Sequence, residues 1–121
     1  MEINKMFELP MLSSELDEEI RVEIENFNVN IIVTYFDTNE RKLIICFKNA
    51  LCHIHTSKRF TKQMLNAYDK IVEVVNSEWL SELQKLNEID FAFWKPRHFA
   101  IYLEKLGMYQ IIAQEYEIFD K

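Results

Sequence analysis

Two histidines one residue apart are the side chains in this sequence best suited to bind a metal. His53 and His55 lie in residues 51–56, a stretch whose composition predicts a β-strand. Because alternate side chains of a strand project to the same face, both imidazoles could reach one zinc or other transition-metal ion. The pattern lacks a third ligand, since Cys52 would point to the opposite face and nothing places His98 nearby. The pair therefore indicates either a metal site or two histidines on a solvent-facing strand.

The two cysteines are candidate nucleophiles, but neither has a favourable setting in the sequence. A reactive thiolate needs a histidine in contact and an electropositive surrounding that lowers its pKa. Cys52 adjoins His53, and a strand sends adjacent side chains to opposite faces. Cys46 and Cys52 do not have CxxC spacing, so we expect both to be buried, reduced thiols.

Motifs of the common enzyme classes are missing from the sequence. It contains no GxSxG or HExxH motif, and with a single glycine it has no glycine-rich phosphate loop. We therefore expect no cofactor, and the balance favours a protein that is not an enzyme.

The charge balance restricts the class of partner. Twenty acidic against 14 basic residues give a formal net charge of −6, which would repel a nucleic-acid backbone. Glu18 and Glu19 belong to an acidic run that is either a solvated loop or a recognition surface for a basic protein. No segment approaches the roughly 20 apolar residues of a membrane helix, and the N-terminus lacks a basic-then-apolar signal. We expect a cytoplasmic protein that binds neither nucleic acid nor membrane.

An aromatic cluster precedes the second proline of the chain. Phe93 and Trp94 lie just before Pro96, a position where whole burial of the indole is difficult. The cluster is either part of the core or an exposed anchor for another protein.

The strongest secondary-structure signal is at the C-terminal end. Apolar and polar residues alternate from residue 98, and a second apolar run covers residues 108–113, which predicts a β-hairpin. Gly107, the sole glycine, lies where the turn must reverse, because glycine reaches positive φ without a steric penalty. Further strands are predicted near residues 20–24, 29–36 and 43–47, in addition to the strand that carries the histidines.

Residues 60–86 allow two interpretations. Apolar residues recur at three- and four-residue steps, as in one long helix. Four β-branched residues in residues 71–75, followed by Asn76 and Ser77, favour a helix near residues 61–67, a strand near 70–75 and a helix from Ser77 or Glu78 to Leu86. We prefer the second, with residues 87–93 as a loop.

Together these elements predict a single α+β domain spanning residues 1–121. Its sheet would be mainly antiparallel, with roughly six or seven strands, one or two covering helices and the C-terminal hairpin. The apolar residues of the first twelve positions have no clean period, so we expect an extended arm that lies on the core.

Two segments resemble small stand-alone bacterial proteins of unknown function. They are residues 71–80, IVEVVNSEWL, and the closing hairpin, whose first strand opens with His98-Phe99-Ala100-Ile101-Tyr102 and is followed by its return strand. Some proteins of this size and acidity look like immunity partners of bacterial toxins. The resemblance implies a strand ending in Asn-Ser before a short helix, and it brings no catalytic residues. The Ile-, Lys-, Glu- and Asn-rich composition also indicates an AT-rich bacterial genome.

Three functional hypotheses follow from the sequence. The first is a non-enzymatic protein-interaction module of the toxin-neutralising immunity type, which would bind through Phe93, Trp94, Glu18 and Glu19. The second is a metal-binding protein or metal-dependent enzyme that uses His53 and His55. The third is a structural domain whose exposed sheet edge pairs in a homodimer.

Overall fold

Two antiparallel β-sheets and a pair of short helices make up the fold. The computed structural model describes residues 2–60 and 67–121. These residues form nine strands: β1 (Glu2–Glu8), β2 (Arg21–Glu25), β3 (Asn28–Phe36), β4 (Glu40–Lys48), β5 (Cys52–Thr56), β6 (Lys70–Val75), β7 (Arg97–Leu103), β8 (Gly107–Ala113) and β9 (Glu115–Asp120). The described helices are α1 (Glu78–Leu86) and α2 (Glu88–Trp94).

Strand pairing divides the chain between the two sheets. The five-stranded sheet has the order β1-β6-β7-β8-β5, and the four-stranded sheet has the order β2-β3-β4-β9. All ladders between these strands are antiparallel. The chain passes from β8 in one sheet to β9 in the other through a single residue, Gln114. The strand after β4 also changes sheet, because β5 pairs with β8.

The main core lies between the two sheets. It takes alternate side chains of β3 and β4 from one sheet and of β6, β7 and β8 from the other, as the period of two in a strand requires. Phe47 of β4 meets Phe99 of β7 at 5.7 Å between ring centroids, and Tyr116 of β9 meets the same Phe99 ring at 5.5 Å. These aromatic contacts join the sheets.

The opposite face of the five-stranded sheet carries a second, smaller apolar cluster. Its buried members are Ala67, Val72, Val74, Ala100, Tyr102 and Met108. Helix α1 lies beside β7, where the Trp79 indole contacts the His98 ring edge-on at 5.4 Å. Both faces of β7 are therefore covered, which agrees with its nearly continuous burial.

A buried carboxylate fastens the segment after β1 to the five-stranded sheet. The Ser13 amide donates to both carboxylate oxygens of Asp69, at 3.3 and 3.2 Å. The Ser13 hydroxyl accepts from the Glu104 amide at 2.8 Å. The Asp69 carbonyl accepts from the Leu9 amide at 2.9 Å. Residues 9–16 are thereby held over one end of the core, where Leu9 and Leu16 are buried.

Asparagine and aspartate occupy most of the tight backbone turns. Positive φ values occur in the described chain at Gly107 and at five other residues, namely Asn26, Asn49, Asp69, Asn76 and Lys95. Asn and Asp tolerate the left-handed region better than other non-glycine residues because their short polar side chains can bond locally to the backbone. This protein thus reverses its chain with very little glycine.

Several sequence predictions are confirmed. The structure contains the predicted hairpin around Gly107, the strands near residues 29–36 and 43–47, the strand Lys70–Val75 and the helix Glu78–Leu86. The single long helix over residues 60–86 is wrong, because β6 lies inside that range. The helix predicted near residues 61–67 falls almost wholly outside the described residues.

Three predictions need correction. The described chain has nine strands rather than six or seven, in two sheets. The N-terminal arm is an edge strand, since Glu2–Glu8 pairs with β6. Residues 87–93 are not a loop, because the Asn87 side chain accepts from the Asp90 amide and starts helix α2.

No helix within residues 2–60 and 67–121 is long and apolar enough to cross a bilayer.

Candidate functional site

A serine and a histidine are brought together where β6 passes into α1. Strand β6 ends at Val75, Asn76 turns the chain with φ 56°, and Ser77 is the N-cap of α1. The β-branched run before Asn76 favours a strand, and Ser at the N-cap satisfies an amide of the first helical turn. The Ser77 hydroxyl accepts from the Leu80 amide at 3.2 Å. This strand–turn–helix junction fixes Ser77 next to β7.

His98 links Ser77 to the neighbouring strand. Its Nδ1 lies 2.7 Å from the Ser77 Oγ, and its Nε2 lies 2.9 Å from the Gln110 Oε1 of β8. Because an amide oxygen only accepts, Nε2 carries the imidazole proton and Nδ1 accepts from the Ser77 hydroxyl. Ser77 and His98 are both buried, and the chain of hydrogen bonds satisfies both side chains.

A pocket of about 550 Å³ opens beside this pair. Its lining residues are Glu2, Val74, Val75, Asn76, Ser77, Glu78, Trp79 and His98. The two valines and the tryptophan give it an apolar part, and Glu2 and Glu78 contribute two carboxylates to the lining. The pair is therefore positioned beside a cavity that could admit a small molecule.

Burial depresses the basicity of His98. Loss of hydration lowers the pKa of the imidazole below its ordinary value of 6.5, and the hydrogen bond to Gln110 opposes the shift in part. Glu2 and Glu78 are the charged groups that share its pocket. The ring is accordingly neutral at pH 7.

The depressed His98 pKa predicts a loss of stability in mild acid. Below pH 6.5 the unfolded chain takes up a proton at His98 that the folded chain does not, so the free energy of unfolding falls with pH until the folded pKa is passed. We expect the urea midpoint to decrease from pH 7 to pH 5, and to decrease less in His98→Gln. Equal pH dependence of both proteins would contradict the assignment.

His53 and His55 lie on β5, at one edge of the five-stranded sheet. Both rings are exposed and stack against Tyr109 of β8, at 5.6 and 5.3 Å between centroids. His53 Nδ1 lies 3.3 Å from the Tyr109 hydroxyl, and His55 Nε2 lies 2.6 Å from the Leu106 carbonyl. A metal would thus have to bind His53 Nε2 and His55 Nδ1.

The described residues bring no further ligand to that pair. Among them, no group of three or more His, Cys, Asp or Glu side chains is arranged to hold a metal ion. The stacking and hydrogen bonds account for the conformation of both rings, and metal binding by His53 and His55 stays a prediction.

The cysteines lie in different sheets. Cys46 of β4 is buried, Cys52 of β5 is half-buried, and both are free thiols. Burial raises the pKa of each thiol, so neither is activated as a thiolate.

Phe93 and Trp94 differ in exposure. The Phe93 side chain is 75% exposed, and its ring contacts Trp94 edge-on at 5.7 Å. Trp94 is half-buried, and its carbonyl accepts from the Gln114 side chain at 3.0 Å. Two more apolar side chains of the helix pair are open to solvent, with Leu86 81% and Ile89 84% exposed. We call Leu86, Ile89 and Phe93 the helix-pair patch.

Glu18 and Glu19 lie away from the helix pair. The Gln114 side chain donates to the Trp94 carbonyl, and the Gln114 backbone amide donates to the carbonyl of Lys48, the last residue of β4. The end of α2 is therefore close to the end of β4. Glu18 and Glu19 precede β2, whose first residue pairs with Ile32, so they lie near the opposite end of the same sheet. The structure does not bring the four predicted interface residues together.

The end of the fold near Glu18 and Glu19 contains a second pocket. Its volume is about 670 Å³, and its lining includes four carboxylates, those of Glu15, Asp17, Asp37 and Asp120. Arg41 forms ion pairs with Asp37 and Asp120. The Tyr35 hydroxyl donates to Asp120 at 2.9 Å. The pKa of Tyr35 is raised, mainly by burial and to a smaller extent by this hydrogen bond.

Sequence reasoning missed the Ser77–His98–Gln110 arrangement. Ser77 was predicted at the start of a helix and His98 at the start of a strand, but their contact depends on β6 and β7 being neighbours. The available signal was the period of two: His98, Ala100 and Tyr102 share one face of β7, and Gln110 lies opposite Ala100 on β8. Because β6 pairs with β7, residues on that face of β7 contact the segment that follows β6.

Fold and site together define an antiparallel two-sheet domain with a helix pair and a buried Ser–His contact. No family model, curated protein or solved structure matches this chain.

Proposed function

We propose that this protein is a protein-binding module whose helix-pair patch docks a basic partner protein. The supporting observation is that Leu86, Ile89 and Phe93, three large apolar side chains within one short segment, are each at least 75% exposed. Ile89 and Phe93 are four residues apart on α2 and share one helical face. Exposed apolar side chains grouped in this way are typical of interaction sites.

Charge around the patch supports a basic partner. The described helices and the residue between them carry four acidic side chains against one basic side chain: Glu78, Glu82, Glu88 and Asp90 against Lys85. The whole chain has a net charge of −6. A partner with Lys or Arg around an apolar centre would be attracted and steered to this surface.

The same charge disfavours a second copy of this chain as the occupant. Two identical helix pairs brought face to face would place acidic side chains against acidic side chains, which costs free energy. We therefore expect a complex with a different protein and not a homodimer. A toxin-like protein with a basic surface, met in the cytoplasm, is the kind of partner that the immunity-type hypothesis requires.

Photo-crosslinking followed by titration tests the proposal. Benzoylphenylalanine is placed at position 93 in cells of the native host, with position 60 as the matched control, since Phe60 is 85% exposed elsewhere on the surface. A protein captured from position 93 alone is then purified and titrated. We expect Phe93→Ala to weaken binding at least about tenfold, equivalent to about 1.4 kcal/mol, and Phe60→Ala to leave Kd within about twofold.

Other results would overturn the proposal. Equal loss of affinity in Phe93→Ala and Phe60→Ala would mean that the helix-pair patch is not the docking surface. A captured protein that is acidic, or an association rate that does not fall with added salt, would refute the charge argument. Sedimentation showing a dimer that Phe93→Ala dissociates would replace the heterologous partner with a second copy.

A further inference from the structure

The geometry points to a nucleophile that lies outside the proposed docking surface: we propose that Ser77 attacks small neutral or cationic esters, with His98 as its general base. Ser77 and His98 both line the 550 Å³ pocket. Their hydrogen bond of 2.7 Å has the length that proton transfer from hydroxyl to imidazole requires.

Three connected groups provide the activation of a serine nucleophile. The Ser77 hydroxyl donates to His98 Nδ1, and His98 Nε2 donates to Gln110 Oε1. Gln110 fixes the tautomer that leaves Nδ1 free of a proton, so it is a positioning residue. The lowered pKa of His98 keeps the base neutral at pH 7.

The start of α1 supplies donors for developing negative charge. The first amides of a helix have no acceptor within the helix and lie at the positive end of its dipole. Ser77 is the N-cap of this nine-residue helix, and the Leu80 amide already donates to its Oγ. That bond also favours the alkoxide character of the attacking oxygen.

The pocket restricts the substrate. Val74, Val75 and Trp79 offer an apolar wall for a short acyl or alkyl group. Glu2 and Glu78 in the lining repel anions. A compact uncharged ester, or one with a cationic group, fits this lining.

The reaction balances without any further reactant except water. The Ser77 Oγ forms a bond to the acyl carbon, its proton moves to His98 Nδ1, and the bond to the alcohol oxygen breaks as the alcohol takes that proton. Water then attacks the acyl-serine, gives its proton to Nδ1, and the carboxylic acid leaves as Ser77 recovers its hydrogen. Gln110 is uncharged and stabilises the imidazolium less than a carboxylate would, so we expect slow turnover and use covalent labelling as the readout.

Labelling with diisopropyl fluorophosphate tests the proposal. Oγ attacks phosphorus, fluoride leaves, and the proton passes to His98, so one stable adduct per chain is expected by intact mass, mapped to Ser77 by peptide sequencing. His98→Gln should label at least about 100-fold more slowly, because general-base catalysis contributes roughly 10²–10⁴. The labelling rate should rise with pH and level off below the ordinary histidine value of 6.5.

Two matched variants separate chemistry from folding. Ser77→Asn keeps an N-cap acceptor but has no nucleophile, and its circular dichroism reports whether α1 is kept; it should not be labelled. Phe60→Ala, which is exposed outside the pocket and outside the helix-pair patch, should label at the wild-type rate. No adduct under conditions that fully label a reference serine esterase, or an adduct mapped to another residue, would overturn the proposal.

Discussion

Gly107→Ala is expected to destabilise the protein by about 3–5 kcal/mol. Gly107 has φ +98°, which an L-residue with a Cβ rarely adopts. An added Cβ would lie 2.4 Å from the Thr56 carbonyl oxygen and 2.9 Å from the Lys58 amide nitrogen. Both are backbone atoms, one in the last residue of β5 and one just after that strand, so the strain can be relieved only by moving this segment away from β8. Urea unfolding followed by circular dichroism measures the loss.

Lys105→Ala is the matched control for this substitution. Lys105 is exposed in the same turn, and its truncation should change the free energy of unfolding by no more than about 0.5 kcal/mol. A similarly small effect of Gly107→Ala would show that the close approach of β5 and β8 is not required.

Phe47→Ala is expected to cost about 3–5 kcal/mol, the usual range for removing a buried phenyl ring. Phe47 is fully buried and contacts Phe99 of the opposite sheet and Tyr116 of β9, the latter at 6.4 Å. The ring therefore fills space between the sheets, and the structure around it relaxes only partially when the ring is removed. The decrease in urea midpoint and a lowered Tm would both report it.

Phe36→Ala serves as the comparison for Phe47→Ala. Phe36 is 59% exposed at the last position of β3, so its truncation removes little buried area and should cost below about 1 kcal/mol. Comparable losses in both variants would contradict a core centred on Phe47.

Local signals in the sequence predicted most of the individual elements. The β-branched run of residues 71–75 and the Asn-Ser pair after it predicted β6 and the start of α1, because both depend on backbone preferences of neighbouring residues. Gly107 predicted its turn for the same reason. Helix α2 was missed since its seven residues give barely two turns of periodicity, and its Asn87 cap resembles ordinary loop chemistry.

The division into two sheets was not predictable from those signals. Alternation along β5 is the same whether the strand pairs with β4 or with β8. The pairing of β5 is decided by which arrangement lets the side chains of both sheets fill the space between them. Those side chains come from residues far apart in sequence. This is also why one sheet of six or seven strands was expected.

The candidate site residues also differ in whether local sequence could predict them. Exposure of Phe93 could be suspected from its position before Pro96, since local chain direction limits burial there. The contact between Ser77 and His98 joins residues from elements on either side of α1 and α2. It depends on the pairing of β6 with β7, which no local pattern specifies.

Strand β9 has a consequence for folding during synthesis. It pairs with β4, which is made some 70 residues earlier, by the register Ile45↔Ile118. Until residues 115–120 leave the ribosome, one edge of β4 has no partner and the inner face of the four-stranded sheet is incomplete. An unpaired strand edge of this kind can pair with other nascent chains and cause aggregation. Rapid emergence of residues 115–120, or cover from a chaperone, would therefore favour the native domain over aggregation.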